Sequence, residues 1–154
     1  MKKIVSLLTE QNKTISTMES CTGGALVNAI TNVEGASNII KFSAVTYSNE
    51  FKIKMGVDSN VIDEYTVYSL ETAKEMSKKI SDFTSSNYGV GITGQINAID
   101  PNNKTMENDK IYISIYDKDN DKYYNEIITA SNCTREENKK IIIKKAEEML
   151  IDIL

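Results

Sequence analysis

Apolar positions along the chain switch repeatedly between a helical period and a strand period. Residues 2–12 read as a first helix, with Ile4, Leu7 and Leu8 on one side. Thr14 to Met18 reads as a short strand, and Gly23 to Thr31 as a helix carrying Leu26, Val27 and Ile30. Ile39 to Tyr47 is a run of apolar residues and β-formers that predicts a central strand. Asn49 to Met55 predicts a helical turn or two, ended by Gly56. Ser69 is placed to N-cap a long helix in which Leu70, Ala73, Met76, Ile80 and Phe83 recur at spacings of three and four.

The second half reads more simply. Tyr88 to Thr93 predicts a strand ending at Gly94, and residues 95–109 predict one long polar loop holding the only proline. Ile111, Ile113 and Ile115 alternate with Tyr112, Ser114 and Tyr116, and a second strand follows through Ile128 after a polar turn. That pattern is an antiparallel hairpin. Thr134-Arg135-Glu136-Glu137 has the form of a capping box opening a last helix over residues 135–153. Helices separating strands, with one hairpin, give an α/β fold: a three-layer α/β/α sandwich with a mixed sheet. With 154 residues, 40% of them apolar, the chain fits a single domain over residues 1–154.

Charge narrows the partners. The net charge is −4, and acidic and basic residues alternate without a basic stripe, which argues against a nucleic-acid partner. No apolar run has the length of a membrane span, and Thr9-Glu10-Gln11-Asn12 interrupts the apolar start, so a first helix is expected rather than a signal peptide. Cys21 and Cys133 are expected as reduced thiols in a cytoplasmic protein. No metal site and no cofactor are expected, because the chain has no histidine and its carboxylates fall in helical charge patterns or loops.

The missing histidine also shapes the candidate chemistry. Glu19-Ser20-Cys21-Thr22-Gly23-Gly24 joins a strand to a helix, where backbone N–H groups are open to an anion or an oxyanion. The segment reads equally as an ordinary turn with a capping hydroxyl. A phosphate cradle made by Thr22, Gly23 and Gly24 is a third reading, although the Gly-Lys-Ser/Thr of a P-loop is absent. A nucleophilic Ser20 needs a base other than histidine, and lysine leads. The second candidate segment is Val45-Thr46-Tyr47-Ser48-Asn49-Glu50-Phe51-Lys52. Tyr47 is expected at the C-terminal edge of a strand, where open α/β sheets collect ligands. Lys52 follows five residues later; it reads by default as a solvated surface residue and is a base only if burial or a nearby cation lowers its pKa.

Together these two segments resemble the CinA C-terminal domain family, which includes stand-alone nicotinamide-nucleotide amidases. Gly35-Ala36-Ser37, Met55-Gly56-Val57, Tyr88 to Gly94 and Asn132-Cys133-Thr134-Arg135 extend the resemblance along nearly the whole chain. The resemblance implies a serine amidohydrolase that converts nicotinamide mononucleotide to nicotinate mononucleotide and ammonia. It matches Ser20 to the nucleophile, Lys52 to its base and Tyr47 to a tyrosine assisting the pair. Helix-start N–H groups near Gly23 are then expected to receive the oxyanion. Arg135 is expected either as a cation for the substrate phosphate or in a structural ion pair. The partner implied is a small-molecule nucleotide, and the resemblance admits a homo-oligomer.

The chain also departs from the family. Gln95-Ile96-Asn97-Ala98-Ile99-Asp100-Pro101 stands where the family has Ile-Ala-Gly-Pro and further glycines. Glu107-Asn108-Asp109-Lys110 replaces Lys-Pro-Val-Gly, and Thr66-Val67-Tyr68-Ser69 replaces Gly-Ala-Val-Ser. A nucleotide- or phosphate-binding module without turnover is therefore the alternative to the amidase, and the loop over 95–109 is expected to border the pocket.

Overall fold

The computed structural model describes residues 1–97, 101, 103 and 107–154. Five strands form one mixed sheet: β1 (Ile15–Glu19), β2 (Ser43–Val45), β3 (Tyr88–Gly94), β4 (Lys110–Asp117) and β5 (Lys122–Thr129). Their order is β2-β1-β3-β4-β5, with β1 parallel to both its neighbours and β4 and β5 antiparallel. Six α-helices flank it: α1 (Lys2–Glu10), α2 (Ala25–Thr31), α3 (Asn49–Lys54), α4 (Ser59–Tyr65), α5 (Leu70–Thr84) and α6 (Arg135–Ile153). Among the described residues none of them is long and apolar enough to cross a membrane.

The layers follow from which faces are apolar. Ile4 and Leu8 of α1, Leu26 and Ile30 of α2, and Ile142, Ala146 and Leu150 of α6 pack with Ile15, Val90, Ile92, Ile111, Ile113 and Ile115 of the sheet. On the opposite face Met18 of β1 meets Met76 and Ile80 of α5, with Val57 closing a smaller core. Two glycines let α5 lie directly on β3. A Cβ added to Gly89 would come within 1.9 Å of the Ser77 carbonyl oxygen, and one on Gly91 within 2.2 Å of that of Ala73. The predicted three-layer sandwich with a mixed sheet is the fold observed.

Both long helices start where their caps predict. Ser69 Oγ accepts from Thr72 N–H, and Thr134 and Glu137 close a reciprocal capping box. Three expectations are corrected. The Ile39–Tyr47 run is not a central strand: only Ser43–Val45 is extended, and it is the sheet edge. Ile39 and Ile40 are buried in the core from the segment after a short 3₁₀ turn (Ala36–Asn38), so their apolarity reports burial rather than strand pairing. Phe83 does not enter the core; it is exposed and packs on Phe42 with ring centroids 5.4 Å apart. α4 has no counterpart among the predicted elements; it is short, and none of its residues is fully buried, Ile62 packing only partly against the smaller core. The first helix stops at Glu10, two residues early.

The predicted loop over 95–109 lies partly outside the described residues, at 98–100, 102 and 104–106.

Candidate active site

The site forms where β1 and β3 end side by side and the chain turns out of the sheet. Ser20 is the first residue past β1, and its N–H continues the ladder by donating to the Ile92 carbonyl at 2.9 Å. Gly23 and Gly24 then take left-handed φ values of 64° and 90°, which folds the chain back into α2. Gly23 N–H donates to the Ser20 carbonyl at 3.0 Å and closes the turn.

Glu19 locks that turn from below. Its carboxylate has no solvent exposure and accepts four hydrogen bonds. These come from the Thr17 and Thr22 hydroxyls at 3.1 and 2.7 Å, and from the Leu26 and Val27 N–H groups at 3.0 and 2.9 Å. The last two are open N–H groups of the first turn of α2, so Glu19 supplies from the strand the cap that Gly24 lacks. Alternation along the strand then puts Ser20 on the other side of the backbone. The Leu26 and Val27 N–H groups are therefore not open to an oxyanion, since the carboxylate already occupies them. The same contacts correct the phosphate-cradle reading. The Thr22 hydroxyl is spent on Glu19, and neither Thr22, Gly23 nor Gly24 lines the cavity beside Ser20.

Lys52 reaches the serine from the neighbouring crossover. After β2, Thr46 N–H donates to the Glu19 carbonyl at 2.9 Å, and Ser48 caps α3 by accepting from Phe51 N–H at 3.3 Å. The helix turns the fourth of its residues, Lys52, inward until only 2% of it is exposed. Lys52 Nζ donates to Ser20 Oγ at 3.1 Å and to the Thr46 carbonyl at 2.8 Å. No carboxylate pairs with it among the described residues, and burial brings its pKa down from 10.5 to about 8. The neighbouring thiol moves the other way. Burial pushes Cys21 up to about 12, so it stays protonated at neutral pH. Cys21 and Cys133 are both free.

A cavity of about 480 Å³ opens over Ser20 and Lys52. Tyr47 and Arg135 also line it. Tyr47 is largely exposed, and its hydroxyl accepts from Arg135 Nη2 at 3.1 Å, with no hydrogen bond to Ser20 or Lys52. The phenol is thus tied to the arginine instead of the serine–lysine pair. Arg135, first residue of α6, donates its other arm to the Ile96 carbonyl at 2.6 Å. Both partners are neutral oxygens, and the alternative of a structural ion pair finds no carboxylate at Arg135 among the described residues. From the 95–109 segment, Gln95, Ile96 and Asn103 line the same cavity.

Four of the candidate residues therefore meet in one cavity: Ser20, Lys52, Tyr47 and Arg135. Two further residues, Glu19 and Gln95, escaped sequence reasoning. The signal for Glu19 was its place immediately before the serine at a strand end, where a carboxylate reaches the following helix start.

The family model for the CinA C-terminal domain matches residues 1–154. A competence-damage inducible protein of Caldanaerobacter subterraneus subsp. tengcongensis is 42% identical over 92 residues, 59% of this chain and 22% of that protein. A CinA-like protein of Endomicrobium trichonymphae is 44% identical over 89 residues, 57% of this chain and 21% of its own length. These matches thus span about a fifth of the relatives. Among solved structures, competence/damage inducible protein CihA from Agrobacterium tumefaciens superposes with a TM-score of 0.87 at 26% identity, over 97% of this chain and 90% of that one. A CinA superfamily protein from Escherichia coli shares the fold, with a TM-score of 0.90 at 19% identity over 99% and 87% of the two chains. The chain belongs to the CinA C-terminal domain family.

Proposed function

We propose that this domain is a serine–lysine amidohydrolase that cleaves the carboxamide of nicotinamide mononucleotide, giving nicotinate mononucleotide and ammonia. The observation that carries the reading is the buried Lys52 amine 3.1 Å from Ser20 Oγ, with its pKa lowered to about 8. At pH 7.5 such a lysine is neutral in about a quarter of molecules, against about one in a thousand at its ordinary value.

The steps follow from that geometry. Neutral Lys52 takes the Ser20 proton as the oxygen attacks the amide carbon. The C–N bond then breaks, and Lys52 returns the proton to the departing ammonia. Water, activated by the same amine, attacks the acyl ester, releases the carboxylate and restores Ser20. The Cys21 N–H, on the residue next to the nucleophile, would serve as the backbone donor to the developing oxyanion. One such donor contributes roughly 10²–10³ in rate. Arg135, facing the cavity without a carboxylate partner, suits the substrate phosphate, and Tyr47 holds its guanidinium in place.

Ammonia release from nicotinamide mononucleotide by the purified protein tests the reading. The Ser20→Ala variant is expected to fold and to lose turnover by about 10⁶-fold. Full activity in that variant removes Ser20 from the mechanism. Nucleotide binding without ammonia release by the unmodified protein instead supports the binding module.

A further inference from the structure

Gln95 is the first residue past β3, close to where Ser20 leaves the neighbouring parallel strand. Glu19 pairs with Ile92, and Gln95 is fixed by its own N–H donating to the Lys110 carbonyl at 3.0 Å. Gln95 is among the residues lining the cavity that holds Ser20 and Lys52; it is 5% exposed, and both of its amide atoms are buried. Neither its amide oxygen nor its amide nitrogen has a hydrogen-bond partner. Among the described residues the only other buried side-chain polar atom in that condition is the Thr46 hydroxyl.

A primary carboxamide carries two N–H donors and an acceptor oxygen. Burying all of them unpaired destabilises the ligand-free fold, and an apolar side chain of the same size would avoid the loss. A group kept there against stability marks a place where a ligand completes the hydrogen bonds.

We propose that Gln95 is a specificity-determining residue that recognises the substrate's carboxamide. Its Oε1 accepts from the amide N–H of the substrate, and its Nε2 donates to the carbonyl oxygen. Two primary amides are self-complementary in this way. A carboxylate is not, because it presents two acceptors and sets one against Oε1. Gln95 thereby sorts amide substrate from acid product and favours product release. This inference rests on the amidase reading above.

The test uses Ser20→Ala, which binds without turnover, and Ser20→Ala/Gln95→Met. Titration calorimetry measures nicotinamide mononucleotide and nicotinate mononucleotide on both. Replacing Gln95 is expected to weaken the amide roughly tenfold or more and the acid by less than about threefold. The comparison between ligands cancels what Lys52 and Arg135 contribute to either. Ligand-free Gln95→Met alone is expected to melt at or above the temperature of the unmodified protein. Equal loss for both ligands overturns the proposal, and so does a lowered melting temperature with unchanged affinities. If the unmodified protein releases ammonia but Gln95→Met keeps the amide affinity, Gln95 falls alone. If the unmodified protein neither binds nor hydrolyses nicotinamide mononucleotide, the amidase reading falls and this inference with it.

Discussion

Lys52→Met isolates the energy stored in the buried amine. In the folded chain the charged lysine is disfavoured, and the drop from 10.5 to about 8 corresponds to about 3 kcal/mol. Methionine keeps an unbranched stem of similar length and carries no charge. It also forfeits the hydrogen bonds to Ser20 Oγ and the Thr46 carbonyl, each about 1 kcal/mol. Below pH 8 the variant should therefore be more stable by about 1 kcal/mol, a rise of roughly 2–4 °C in melting temperature for a chain of this size. The sign changes with pH. Between pH 8 and 10.5 the unfolded lysine holds a proton that the folded one has lost, so the stability of the unmodified protein rises with pH across that window. Above pH 10.5 the penalty is gone, and the variant should be the less stable by about 2 kcal/mol. Urea unfolding of both proteins at pH 7, 8, 9 and 10 measures the difference, in which other titrating groups cancel. A difference that stays constant from pH 7 to 10 refutes the depressed pKa and, with it, the neutral base.

Four other outcomes are expected. On the amidase reading, kcat/KM of the unmodified protein should rise with pH through an apparent pKa near 8, as the neutral base accumulates, whereas Lys52→Arg should be nearly inactive because a guanidinium cannot give up its proton. Steady-state kinetics from pH 6 to 10 check both, and ordinary turnover by the arginine variant would leave Lys52 as a positive charge only. Glu19→Gln turns an amide nitrogen toward donors that need an acceptor, and should lose about 2–4 kcal/mol in urea unfolding. Gly91→Ala forces β3 and α5 apart against the 2.2 Å approach to the Ala73 carbonyl oxygen, and a loss of about 3 kcal/mol or more is expected by the same measurement.

The parts of the fold that could be read from sequence are those where local chemistry and tertiary burial agree. α5 and α6 carry their own caps, and the alternating Ile111, Ile113 and Ile115 of β4 all enter one core. Ile39 and Ile40 misled because a buried coil residue looks like a strand residue when only its apolarity is known. α4 gives a weak signal because it is short and none of its residues is fully buried. At the site, a lysine's burial is decided by how α3 packs against the end of β1, a contact that spacing along the chain does not encode. Resemblance to the family, not spacing, pairs Lys52 with Ser20. It carried no information about Glu19's grip on α2, which depends on which way one strand residue faces.

The position of β1 has a consequence for synthesis. The strand that delivers the serine leaves the ribosome before both of its neighbours, and β3 follows only after α5. The Thr17–Ser43 hydrogen bond spans 26 residues and the Thr14–Asn87 bond spans 73. Until β3 emerges, β1 has at most one short partner, and an isolated parallel pair of that size is not stable in water. The nascent chain therefore carries β1 without its longer partner until α5 has been made, an interval in which chaperones have access to it. A chain released before Gly94 would have no central sheet on which to settle. Assembly of the serine–lysine pair is thus timed by a strand that contributes neither residue.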